Sequence, residues 1–126
     1  MDDTAILIYC ASRIQALNDL SACYIHDNDF SKASKLKTLI IGSTVQGYQN
    51  TFLTTLNMGN NTVLETLDIR NCPNLVGSIN LSACINLENL YAEGTSISSA
   101  SFARNGKIKK AHFPETVSTL SFLNLT

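Results

Sequence analysis

Two stretches of this chain follow one pattern eleven residues apart. Leu53-x-x-Leu56-x-Met58-x-x-Asn61 and Leu64-x-x-Leu67-x-Ile69-x-x-Cys72 share their apolar spacing and end on a small or polar residue. Four further units follow directly, at Val76/Ile79/Leu81/Cys84, Leu87/Leu90/Ala92/Thr95, Ile97/Ala100/Phe102/Asn105 and Ile108/Ala111/Phe113/Thr116. Val117/Leu120/Phe122 opens a seventh. Upstream, the run from Asp29 to Leu36 aligns with the run from Asn80 to Leu87, so that Leu36/Leu39/Ile41 corresponds to Leu87/Leu90/Ala92. The repeat therefore starts by about residue 25, and a fixed period of this kind governs the fold before any local propensity does.

An extended unit of this length, at roughly 3.3 Å per residue, spans about 36 Å. That is too little to run along a sheet, cross a core about 10 Å thick and return. One turn of the chain therefore needs two units, and alternate units stack on each other. The result is two parallel sheets back to back, with the Leu, Ile, Val and Phe positions in a shared core and backbone groups paired between successive turns. The spacing agrees, since Leu56, Ile79, Ala100 and Leu120 lie 23, 21 and 20 residues apart, and Leu67, Leu90 and Ala111 lie 23 and 21 apart.

These phrases resemble the leucine-rich repeat in its short bacterial form, whose unit of about 21 residues contains LxxLxL twice. The resemblance covers roughly residues 25–125. It implies an all-β leucine-rich-repeat solenoid with two short strands per coil, about four to five coils, and a non-catalytic structural or binding role. Residues 64–95, LETLDIRNCPNLVGSINLSACINLENLYAEGT, are similar to repeats in proteins of gut bacteria and their phages or prophages. That likeness implies a virion component such as a tail or adhesion part. The alternatives are a bacterial cell-surface or secreted adhesin, and an accessory domain of a larger enzyme or effector.

Two places break the period. Between Ile41 and Leu53 the unit is longer by about six residues, and Gly42 to Asn50 reads as a protruding loop. Residues 1–24 fit the template poorly; Ile6, Cys10, Ile14 and Leu17 fall at helical spacing, as in an amphipathic cap, while an irregular first coil beginning at Ile14 is the other reading. The chain stops on Asn124-Leu125-Thr126 in the middle of a unit, which predicts a fragment, or a chain that self-associates through an uncapped end.

Charge narrows the classes of partner. Nine basic residues face ten acidic ones, for a net charge of −1 and 15% charged residues, too dilute a basic surface for nucleic acid. Met1-Asp2-Asp3 is acidic where a secretory signal is basic, and the apolar run Ala5 to Ala11 is too short for a membrane span, so neither that export route nor membrane insertion is expected. Of the four cysteines, Cys72 and Cys84 close successive units on opposite sheets, where a free thiol serves as a small buried hydrophobe. Cys10 and Cys23 have no metal-binding spacing. His26-Asp27-Asn28-Asp29 lacks the spacing of a calcium loop and reads as a solvated turn. Gly42, Gly47, Gly59, Gly77 and Gly94 fit no phosphate-binding phrase and read as turn residues between strands. No GxSxG elbow or comparable nucleophile motif occurs, so neither catalysis, a cofactor nor a metal is expected.

The two outer sheet faces remain, and they differ. One presents Asn57, Asn80, Ser101 and Ser121, small and repetitive. The other presents Ile40, Asp68, Tyr91 and His112, flanked by Glu65, Arg70, Glu88, Glu93, Lys109 and Lys110. Aromatic and charged side chains carry more recognition energy than Ser or Asn. Asp68, Arg70, Tyr91, Glu93 and His112 are thus the candidate site, for a carbohydrate or a protein loop, with Tyr91 offering a flat ring and Asp68 and Glu93 accepting hydrogen bonds. The bland alternative is a solvated face with unlike charges dispersed for solubility.

Overall fold

The computed structural model describes residues 16–17, 30–31, 35–41, 49, 51, 53–103 and 106–123. Every regular element among them is a strand: β1 (Ala16–Leu17), β2 (Thr38–Ile40), β3 (Thr66–Asp68), β4 (Val76–Leu81), β5 (Asn89–Tyr91), β6 (Ser96–Ala103), β7 (Lys110–His112) and β8 (Thr119–Leu123). They form two open sheets, one ordered β1-β2-β3-β5-β7 and the other β4-β6-β8, and every pairing is parallel.

The register follows the repeat. Leu39, Leu67, Leu90 and Ala111 are successive partners in the first sheet, and Ile79, Ala100 and Leu120 in the second. A strand alternates its side chains between faces, so the residues on either side of these columns point outward while the columns, up to the exposed Ala111 and Leu120, enter one core fed by both sheets. Leu36, Leu64 and Leu87 precede their strands and Ile41, Ile69 and Ala92 follow them, all buried in that core. The short strands are thus the visible part of a longer extended unit. Ladder bonds continue past their ends, as from Ile41 N to Asp68 O (2.9 Å) and from Ile69 N to Tyr91 O (2.9 Å).

The residues closing four of the units, Asn61, Cys72, Cys84 and Thr95, are buried, and the polar two serve the turn. Asn61 Oδ1 accepts from the backbone of Val63 at 3.3 Å and of Leu64 at 3.0 Å, and Thr95 Oγ1 donates to the Ala92 carbonyl at 2.8 Å. Cys72 and Cys84 take the same place as free, buried thiols, and Cys72 Sγ lies 3.6 Å from the Arg70 carbonyl. Burial, which penalises the thiolate, pushes Cys72 up to about 12 and Cys84 up to about 11, and the nearby Asp68 charge adds to the effect at Cys72. The ordinary value is 9.0, so the unfolded chain loses these protons first. The stabilisation from both thiols is complete below about pH 9 and is lost as pH rises through their folded values, by at most about 1.4 kcal/mol per pH unit per thiol. Unfolding in denaturant at about pH 8 and about pH 10.5 should therefore show a fall in stability that Cys72→Ala lessens. Alkylation without reductant should modify four thiols in denaturant but spare Cys72 and Cys84 in the folded protein.

Three local features depart from the sequence reading. Leu17, placed there on a helical stripe, is extended and pairs with Leu39, which fits the irregular first coil at these two positions; the rest of residues 1–24 lies outside the described residues. Gly77 is not between strands but inside β4, at φ +79°, where the register slips and Ser98 on β6 is left as the extra residue of a bulge. A Cβ at Gly77 would meet nothing within 4 Å, so its role is conformational alone. The third is Asp68, described below. The long loop at 42–50, Cys10, Cys23 and His26 to Asp29 fall outside the described residues, apart from Gln49.

Candidate recognition face

The outward column of the first sheet runs Ile40, Asp68, Tyr91, His112, each the register partner of the next. Arg70 and Glu93 stand two residues beyond Asp68 and Tyr91, on the same side of an extended chain. The structure brings all five candidate residues into one connected group.

Arg70 folds back along its own strand. Its Nε donates to both Asp68 oxygens, at 3.0 and 3.2 Å, its Nη2 donates to Oδ2, and its backbone N–H donates to Oδ1 at 3.1 Å. This covers the carboxylate, and Asp68 is only 4% exposed although its side chain points away from the core. The sequence reading left Asp68 free to accept from a ligand; the guanidinium two residues on has claimed that acceptor. The hydrogen bond to Asp68 holds Arg70 above its ordinary pKa, against burial, and the negative charges of Asp68 and Glu93 act in the same direction as the bond.

The guanidinium also lies over the Tyr91 ring, 4.9 Å from its centroid, a cation–π arrangement that covers part of the face expected to be free. The His112 ring stands 5.4 Å from the same ring, tilted by 55°. Its Nδ1 is 2.8 Å from Glu93 Oε1, while Glu93 Oε2 is covered and accepts no hydrogen bond among the described residues. Lys109 and Glu88 form an exposed ion pair at 3.0 Å beside the column. Outward, the group leaves 30% of the Arg70 side chain and 51% of the His112 side chain exposed, with Tyr91 half-buried between them.

Removing one member tests how tightly the group is built. Arg70→Ala uncovers a carboxylate that then rehydrates, so we expect a loss of about 1–2 kcal/mol. Asp68→Asn should lose less, and a double-mutant cycle in urea should return a coupling of about 1 kcal/mol for the pair.

Two turns support this face, one at Gly94, read from the sequence as a turn residue, and one at Asn71, which sequence reasoning passed over. Asn71, at φ 55°, and Gly94, at φ 77°, turn the chain straight after Arg70 and Glu93. The Asn71 N–H donates to the Glu93 carbonyl at 2.9 Å, tying the two turns together. The signal was present, because Asn and Gly are the residues that accept a left-handed backbone most readily. On the opposite sheet the small polar face is knitted by Ser78–Ser99 and Ser121–Ser101 hydroxyl contacts at 2.6 and 3.0 Å. Among the described residues no group of three or more His, Cys, Asp and Glu is placed to hold a metal ion, and no helix is long and apolar enough to cross a membrane. Comparison of the chain with protein-family models, with curated proteins and with solved structures finds no match.

Proposed function

We propose that the chain is a leucine-rich-repeat solenoid acting as a non-catalytic binding segment, and that it recognises a protein loop through Arg70, Tyr91 and His112. The repeat reading rests on the LxxLxL phrases, and the strand register, one unit pair per rung, is compatible with it. The observation that carries the recognition site is the in-register column whose charged members are already joined to one another. Arg and Tyr are enriched among residues that anchor interfaces, and side chains held in place beforehand lose less entropy on binding. A carbohydrate is the weaker candidate, because sugar stacking needs an open aromatic face and the Arg70 guanidinium lies over that of Tyr91. The assignment to a phage or prophage tail or adhesion part rests on the likeness of residues 64–95 alone.

A display library of constrained peptide loops, panned on the chain beside a glycan array, tests the site. Loop binders should weaken by about thirtyfold or more on Tyr91→Ala, which is about 2 kcal/mol, and be unchanged on Asn80→Ala. Binders that ignore Tyr91 and depend on Asn80 would move the site to the Ser/Asn face. Binding confined to glycans would replace the partner class.

A further inference from the structure

Charge is distributed unevenly over this molecule. Among the described residues every Asp, Glu, Lys and Arg lies in or beside the first sheet, within 35–41, 65–70, 88–93 and 107–115, and β4, β6 and β8 carry none. Because all strands of that sheet run the same way, their entry ends share one flank and their exit ends the other. The entries hold five lysines, Lys35, Lys37, Lys107, Lys109 and Lys110, against Glu65 and Glu88. The exits hold Asp68, Glu93 and Glu115 against Arg70 alone. With His112 left out of the sum, the entry flank carries +3 and the exit flank −2.

The ladder keeps these charges in line. The N–H groups of Glu65, Glu88 and Lys109 donate to the carbonyls of Lys37, Glu65 and Glu88, each at 2.8 Å, so the entry residues stack rung on rung. Glu88 and Lys109 pair with each other, whereas Lys110 makes no ion pair among the described residues. At the exits Asp68 is covered by Arg70 and Glu93 holds His112, which leaves exposed Glu115 as the carboxylate without a partner among the described residues. Glu88 to Glu93 is five residues of extended chain, about 16 Å, and Tyr91 lies between the two flanks. That separation exceeds the screening length of about 8 Å at physiological salt, so a partner meets two distinct poles.

We propose, on the loop-recognition reading above, that the partner loop lies along the strands across Tyr91 and is itself sorted by charge, with a Lys or Arg toward Glu93 and Glu115 and an Asp or Glu toward Lys110. Charge complementarity selects this occupant. An acidic side chain at the exit flank would meet three carboxylates offset by one guanidinium, and a basic one at the entry flank would meet the excess of lysines. The opposite order sets each pole against its counterpart and fixes which way the loop lies. The two charges of the loop stand about four to five extended residues apart, because the flanks do.

The Tyr91-dependent binders from the loop library, once sequenced, should carry a basic and an acidic residue at about that spacing. Glu115→Lys and Lys110→Glu should each weaken them about fivefold, chiefly through slower association, and raising the salt from about 0.05 to about 0.5 M should slow association about tenfold. Both substituted side chains are exposed, and Glu93 is left unaltered because it holds His112. Glu115→Gln and Lys110→Gln remove the charge without reversing it; they should give a smaller loss in the same direction, and carry the test should either reversal alter the strand signal in circular dichroism. Tyr91-dependent binders without this charge order, or binders that either reversal leaves unchanged or strengthens, would overturn the proposal while leaving the Tyr91 site standing. Binders that ignore Tyr91 would remove the site itself, and the charge-sorted loop with it.

Discussion

Leu67→Ala and Leu90→Ala should each lower the unfolding free energy by about 2–5 kcal/mol, the largest effects expected anywhere in the chain. Both side chains are fully buried, and they are direct partners in the first sheet between Leu39 and Ala111. Truncation removes the transfer energy of the lost methyl groups and leaves a cavity bounded by backbone that cannot collapse, because the strands above and below hold it at ladder spacing. Thr55→Ala, at an exposed position, should change stability by less than about 0.5 kcal/mol. Chemical denaturation of the three variants checks the inward and outward assignment, and equal losses from all of them would refute it.

Gly94→Ala should come close behind, at about 2–5 kcal/mol, from two additive sources. Its φ of +77° places any L side chain in a region that disfavours Cβ by about 1–2 kcal/mol. The new Cβ would also stand 2.6 Å from Asn71 Oδ1 and 3.1 Å from the Asn71 Cα and N. Asn71 is backbone in the adjacent turn, so relief requires moving the segment that carries Arg70, at a further overpacking penalty of about 1–3 kcal/mol. Gly77→Ala separates the two sources. Its φ of +79° is nearly the same, but the space beside it is empty, and about 1 kcal/mol is expected. Thermal unfolding of both variants measures the difference; equal losses would mean that the Asn71 contact contributes nothing.

The columns were legible in the sequence because the repeat period fixes which residues share a rung. Knowing that Leu67 and Leu90 align places Asp68 over Tyr91 without any further information, and the structure pairs them so. What the period leaves open is everything that depends on how a long side chain lies. Arg70 was readable as a neighbour of Asp68, but its turn back over the carboxylate and onto the Tyr91 ring is a choice among rotamers that no spacing encodes. The bulge at Gly77 escaped for a related reason: a glycine in a strand and a glycine in a turn look alike until the register on both sides is known. The extended Leu17 shows the remaining weakness, since a few apolar residues at helical spacing satisfy a strand equally well when a partner strand is waiting.

The paired strands of the first sheet are unequally separated along the chain: Thr38 to Thr66 is 28 residues, Thr66 to Asn89 is 23, and Asn89 to Lys110 is 21. The ladder nevertheless stays in register across all three intervals. Rungs, not residues, are therefore what this molecule counts. Extra residues between rungs leave the separation of Asp68, Tyr91 and His112 unaltered, whereas duplication of a whole rung would lengthen the column by about 4.8 Å and leave every existing neighbour in place. A lineage of such chains can thus vary its reach in fixed steps and its loops freely, because the two kinds of change act on different parts of the architecture.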